Sequence, residues 1–99
     1  MTVTLPITVV KGPQSITFTS SPPSNPPIGS NSTVGATASS GLAVAITIDT
    51  ASAKGACTYS SGTKKVTFEG AGSCIVDANQ KGNADYQTAP QQQQRVTVP

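Results

Sequence analysis

The residues of this chain best suited to forming a site are concentrated in one stretch, CIVDANQKGNADY, from Cys74 to Tyr86. Asp77, Asn79, Asn83 and Asp85 space their side-chain oxygens like the ligands of a metal loop, and Asp77, Asn79 and Gly82 match the first half of an EF-hand pattern. The second half fails: Lys81 puts a cation at the fifth position, and Thr88 occupies the twelfth, where a bidentate Glu is required. Asp77 and Asp85, helped by backbone carbonyls, are what is left for a weak calcium site. The competing reading is structural. Asn79, Gly82 and Asn83 tolerate positive φ or bond their own backbone in tight turns, while Tyr86 offers a ring to cover one end of the fold and a hydroxyl for a loop carbonyl. On that reading, which the failed EF-hand positions favour, the stretch is a folded crossover into the last strand and needs no cofactor.

Other chemistry is sparse. The chain has no His, so its many serines lack the base that a Ser-His-Asp or Cys-His arrangement requires. Its acids are Asp49, Glu69, Asp77 and Asp85, and nothing in their spacing brings two of them to opposite sides of a sugar ring. The expectation is therefore no enzyme. Lys64, Lys65 and Glu69 supply the residue types of an isopeptide cross-link, but the two cysteines already offer a covalent staple. Asn31-Ser32-Thr33 fits a glycosylation sequon, a pattern common by chance.

Those cysteines, Cys57 and Cys74, have sixteen residues between them. Two thiols without His partners cannot complete a tetrahedral zinc site, so an even count in a Ser/Thr-rich domain favours a disulfide; two buried thiols packed as small hydrophobes are the alternative. A bridge implies an oxidising compartment. It also constrains topology. In one flat meander, strands two positions apart lie ~9.5 Å from one another, beyond the ~4.4–6.8 Å between Cα atoms that a disulfide allows. A bridge thus requires the chain to change sheets between the two cysteines.

With 99 residues, the chain is sized for one domain with one core. Charged residues are 10% of the chain, against ~25% in ordinary soluble domains, and the net charge is +2. With no basic stripe and four aromatic residues in a hundred, nucleic acid is not an expected partner, and no apolar run is long enough for a membrane span. Helical periodicity is absent, and the structured segments alternate with period two, predicting an all-β fold. Strands are expected within Thr2–Val10, Gln14–Ser20, Thr33–Ser39, Leu42–Ile48, Cys57–Ser60, Lys64–Gly70, Ser73–Ala78 and Gln91–Val98. Leu42, Val44, Ile46 and Ile48 share one face, which points to a strand in the centre of its sheet. Four of the eight prolines fall in SPPSNPPIGS, Ser21–Ser30, which is expected to be a loop. About seven short strands at this spacing suit an immunoglobulin-like β-sandwich with one disulfide, and a change of sheet between the cysteines favours it over a small barrel.

The runs QSITFTSSPPSN, GATASSGLAVAITID and ACTYSSGTKKVTFEGAGSCIVDANQKGNADYQTAPQQQQRVTV resemble the bacterial immunoglobulin-like repeats found in tandem on large secreted and cell-surface proteins. The resemblance spans residues 11–98, and its most specific parts are ASSGL, the cysteine pair and DANQKGNADY. It implies a bridged Cys57–Cys74 pair, an extracellular or cell-surface location, and a role as spacer, stalk or adhesive module, with neighbouring repeats as partners. The loop PPSNPPIG departs from the pattern, being richer in proline than such repeats usually are. Independently, Ile7-Thr8-Val9 echoes Val96-Thr97-Val98 about 89 positions later, a plausible sandwich period. Residues 1–10 are accordingly either an N-terminal strand of this domain or the tail of a preceding repeat, and residues 11–99 form a single domain. Two functions follow as expectations. One is a non-catalytic structural spacer of a bacterial surface protein. The other is a binding module for carbohydrate or protein, disfavoured for glycans by the lack of Trp but offering QQQQRVTV as a strand edge to a protein partner. A phage or virion decoration domain fits the same features.

Overall fold

A computed structural model of the protein describes residues 11–99, and the alternatives for residues 1–10 lie outside the described residues. The fold is all-β, with eight short strands among the described residues, all paired antiparallel: β1 (Ile16–Phe18), β2 (Asn31–Thr33), β3 (Ala36–Ala38), β4 (Ala45–Ile48), β5 (Cys57–Ser60), β6 (Lys65–Phe68), β7 (Gly72–Asn79) and β8 (Gln92–Val98). They form a pair β1-β3 and two three-stranded sheets, ordered β2-β6-β5 and β4-β7-β8.

The facing sides of these sheets share one core. Val66 and Phe68 of β6 pack with Cys74 and Val76 of β7 and with Val96 and Val98 of β8, and Ile46 and Ile48 of β4 flank the cluster. Period-two alternation puts each pair on the same side of its strand. A second cluster of small residues, Ala38, Ala78 and Ala89, closes under Ile16 beneath the β1-β3 pair. The chain between the cysteines does change sheets. β5 and β6 pair through Cys57↔Phe68, and the turn after Glu69 then sends β7 into the opposite sheet. The Cys57–Cys74 disulfide joins the two layers with its Cα atoms 5.8 Å apart.

Two expectations are corrected. The run Leu42–Ile48 alternates as read, its even-numbered side chains half-buried and its odd-numbered ones exposed, but β4 lies at a sheet edge. The centre belongs to β7, in which Cys74 through Ala78 are all buried. The physical reason is shading: a strand flanked on both sides has even its outward side chains covered by neighbours, whereas an edge strand keeps one face open and alternates cleanly. The expected single strand Thr33–Ser39 is divided into β2 and β3, which pair with β6 and β1 respectively. The break falls at Val34-Gly35. Gly35 N–H donates to Ser20 Oγ and Gly35 C=O accepts from Thr19 N–H, and a Cβ on Gly35 would lie 2.6 Å from Thr19 Oγ1. A side chain here would force the Thr19 hydroxyl to turn away, and glycine leaves that contact undisturbed.

The proline-rich segment 21–30 is a loop, held by paired backbone bonds at its end: Gly29 N–H donates to Phe68 C=O at 2.6 Å and Phe68 N–H to Ser30 C=O at 2.9 Å.

Candidate functional site

The polar residues that could carry chemistry fall into two groups in the structure. The first is a carboxyl pair on the outer side of the β4-β7-β8 sheet. Asp77 lies in the middle of β7, opposite Thr47 on β4 and Gln93 on β8. The chain leaving β4 turns at Asp49, whose Oδ1 accepts the Ala51 N–H at 2.8 Å, and this turn returns the Asp49 side chain to the same place. Gln93 Nε2 then donates to both acids, to Asp77 Oδ1 at 2.8 Å and to Asp49 Oδ2 at 3.0 Å. One amide thus bridges two carboxyls and holds them beside each other.

Two carboxyls held this close disfavour the state in which both are ionised. Burial of Asp77, 5% exposed, raises its pKa, and the neighbouring Asp49 raises it further. Asp49 is lowered, first by the Ala51 N–H and next by the hydrogen bond from Asp77. The sign of the linkage follows. Asp77 binds its proton more tightly folded than unfolded, so its contribution to stability falls as pH rises through its raised pKa. Asp49 acts oppositely, and its contribution is lost as pH falls below the ordinary carboxylate range near pH ~4. The two contributions therefore oppose each other, that of Asp77 lost on the alkaline side of its raised pKa and that of Asp49 on the acid side of its lowered one. Asp77→Asn keeps the acceptor for Gln93 and supplies a permanent donor to Asp49. It should raise the melting temperature at pH 7 by a few degrees and flatten the decline as pH rises from the ordinary carboxylate range near ~4 toward 7. Thermal melts of both proteins across that range check this, and parallel profiles would refute it.

The second group is the loop after β7. Asn83 Oδ1 accepts the N–H groups of Asp85 and Tyr86, at 2.8 and 3.0 Å, and Asn83 N–H donates to the Tyr86 carbonyl at 3.1 Å, forming a tight turn. Gly82 has φ 79°, and a Cβ there would lie 2.8 Å from the Gln87 carbonyl oxygen, so both conformation and space require glycine. Gln80 ties the loop down at its root: its side chain donates to the Ala43 carbonyl and accepts from Gly82 N–H, while its carbonyl accepts from Ala89 N–H. Tyr86 is half-buried, its ring against Gly12, and a parallel bridge joins Gly12 to Tyr86. Gly12 N–H donates to Asp85 C=O and Gln87 N–H to Gly12 C=O, each at 2.9 Å.

The structure therefore separates the two acids considered as ligands. Asp77 meets Asp49 and Gln93 on the sheet, whereas Asp85 is exposed beyond Gly82 and contributes its backbone to the turn and to Gly12. Among the described residues, no three His, Cys, Asp or Glu side chains are grouped to hold a metal ion. Glu69 is exposed and accepts from Thr58 Oγ1. A cavity beneath Ser20–Pro23, lined by core residues including Val34, Phe68 and Val96, has a volume of about 10 Å³. That is at most the space of one water molecule. Asp49 and Gln93 were not legible as partners of Asp77, because the pairings that assemble them join segments far apart in the chain. The one local signal was that Asp49 directly follows the alternating run of β4. No family model matches the chain, and neither do any curated protein or solved structure.

Proposed function

We propose that the chain is an immunoglobulin-like sandwich acting as a non-catalytic spacer module of a bacterial secreted or cell-surface protein. Support for the fold comes from the strand order. If β2 and β3 are taken as one strand interrupted at Gly35, the orders β1-(β3/β2)-β6-β5 and β4-β7-β8 correspond to the A-B-E-D and C-F-G sheets of a constant-type domain. The disulfide departs from antibody domains, joining the strands equivalent to D and F instead of B and F.

The observation that carries the functional reading is that the groups capable of chemistry are engaged by the fold itself. Asp77 and Asp49 both accept from Gln93, and Asn83 and Gly82 shape a turn. Tyr59 packs against the core, and Tyr86 lies against Gly12. An inter-layer disulfide suits an extracellular location. A second reading, a module binding a protein by strand addition, draws on the position of β8 at a sheet edge, with β7 its only partner among the described residues.

The test is retention of the oxidised chain on insoluble polysaccharides and on whole bacterial or host cells, with and without calcium. The spacer reading expects no saturable retention. Saturable retention would replace it with the binding module, and calcium dependence would return Asp77 and Asp85 to consideration as ligands.

A further inference from the structure

The chain between β4 and β5, residues 49–56, crosses from one layer to the other and carries no large apolar side chain: it reads DTASAKGA. What holds it is hydrogen bonding to β7. Asp49 N–H donates to Ile75 C=O at 2.8 Å, Ile75 N–H donates to Ser52 Oγ at 2.8 Å, Ser52 Oγ donates to Ile75 C=O at 3.3 Å, and Ala53 N–H donates to Ser73 C=O at 2.9 Å. This strap continues the pairing along β7 where β4 ends, with a serine hydroxyl standing in for strand backbone. Its first residue is latched across β7 through the bond from Gln93 Nε2 to Asp49 Oδ2. Gly72 makes room for it, since a Cβ there would lie 2.5 Å from that of Ala53.

The bonds at Ser73 and Ile75 fall on either side of Cys74. Residues 54–56 alone separate Ala53 from Cys57, whose Sγ is joined to that of Cys74, so strap, disulfide and β7 close a small ring. β5 is at the edge of its sheet and β4 stops at Ile48, which leaves the strap to close this side of the sandwich over the bridge. Behind it, Ala56 and Cys74 have no exposed surface, while Thr50, Ala51, Lys54 and Gly55 face solvent. A segment held by a few hydrogen bonds with little apolar burial opens at a lower free energy than the whole domain. The main core includes none of residues 49–56 and stays packed when they lift.

We infer that residues 49–56 are a gate to the Cys57–Cys74 disulfide: a reductant reaches the sulphurs when the strap lifts from β7, with both layers still folded. The bond is then switchable in the native protein. The test is the rate of reduction by tris(2-carboxyethyl)phosphine, read by mass spectrometry after alkylation of the new thiols. The phosphine attacks one sulphur, the S–S bond breaks and the other sulphur leaves as a thiolate. Water then carries the phosphorus away as phosphine oxide and supplies the hydrogens of both thiols. Ser52→Ala, which leaves the Ile75 N–H without its acceptor, should speed reduction by roughly tenfold. Ile16→Ala weakens the domain from the second cluster, away from the strap, and should leave the rate within about twofold. The wild-type rate should hardly change as urea is raised below the unfolding transition, because opening a strap exposes little surface. A rate that climbs steeply with urea and rises with Ile16→Ala would assign reduction to global unfolding and overturn the gate. A rate indifferent to Ser52→Ala and to urea would place the sulphurs within reach of reductant in the closed state, and would overturn it as well. The urea series on the wild-type protein separates gate from global unfolding without relying on a variant that folds.

Discussion

Replacing both Cys57 and Cys74 by alanine should lower stability by about 3 kcal/mol and the melting temperature by roughly 10–20 °C. The disulfide closes a loop with a sequence separation of 17, and in the chain-entropy account it acts by restricting the unfolded ensemble. The folded state loses little more than packing at Cys74, which is fully buried, because the same layers still meet through Phe68, Val76 and Val96. A calorimetric comparison of the oxidised protein with the double variant checks this. The reduced wild-type protein should melt near the variant. A double variant melting within a few degrees of the oxidised protein would show that the core alone holds the layers together.

An effect at least as large is expected at Phe68. Its side chain is 1% exposed and belongs to the central strand of the β2-β6-β5 sheet, where it faces β7 and β8 across the core. Its backbone also anchors the end of the proline-rich loop through the bonds to Gly29 and Ser30. Truncation to alanine removes the largest fully buried side chain and leaves a cavity between two layers stapled by a disulfide, which limits collapse. Phe68→Ala should cost about 3–5 kcal/mol. A domain of this size has only ~5–15 kcal/mol in total, so the variant should be substantially unfolded at 37 °C. Ile28→Ala is the control. Ile28 is 58% exposed, and its loss should change stability by no more than about 0.5 kcal/mol. Chemical denaturation of the two variants separates a core role for Phe68 from a general sensitivity of this loop and strand. Similar midpoints for both would argue against the packing account.

What the sequence made legible is largely local. Alternation located β5 at Cys57–Ser60 and the segments that became β4, β6 and β8, and the proline cluster correctly predicted a loop. The cysteine spacing went further, since bridging two strands around an intervening one demanded a change of sheet, and the chain makes it. Non-local pairing was not legible. Leu42–Ile48 reads as a strong strand from its own residues, but its edge position depends on which segments choose β7 as a neighbour. Gly35 breaks a strand because Thr19 and Ser20 approach it, a contact absent from any window around residue 35. Asp77 was read beside Asp85, close in sequence, while its carboxyl partner Asp49 arrives through the β4–β7 register.

The position of the disulfide also bears on what happens when the protein is pulled from its two ends. Force applied at Gly12 and Val98 can peel β1 and β8 from their neighbours, but the tension path then meets the Cys57–Cys74 bond and bypasses everything between the cysteines. An oxidised domain that yields under load therefore releases less chain. The bypassed loop, 17 steps closed across 5.8 Å, withholds on the order of 50 Å of extension. Oxidation thus sets the extensibility of the domain as well as its stability, and on the spacer proposal a reduced domain would be the longer, slacker element under load.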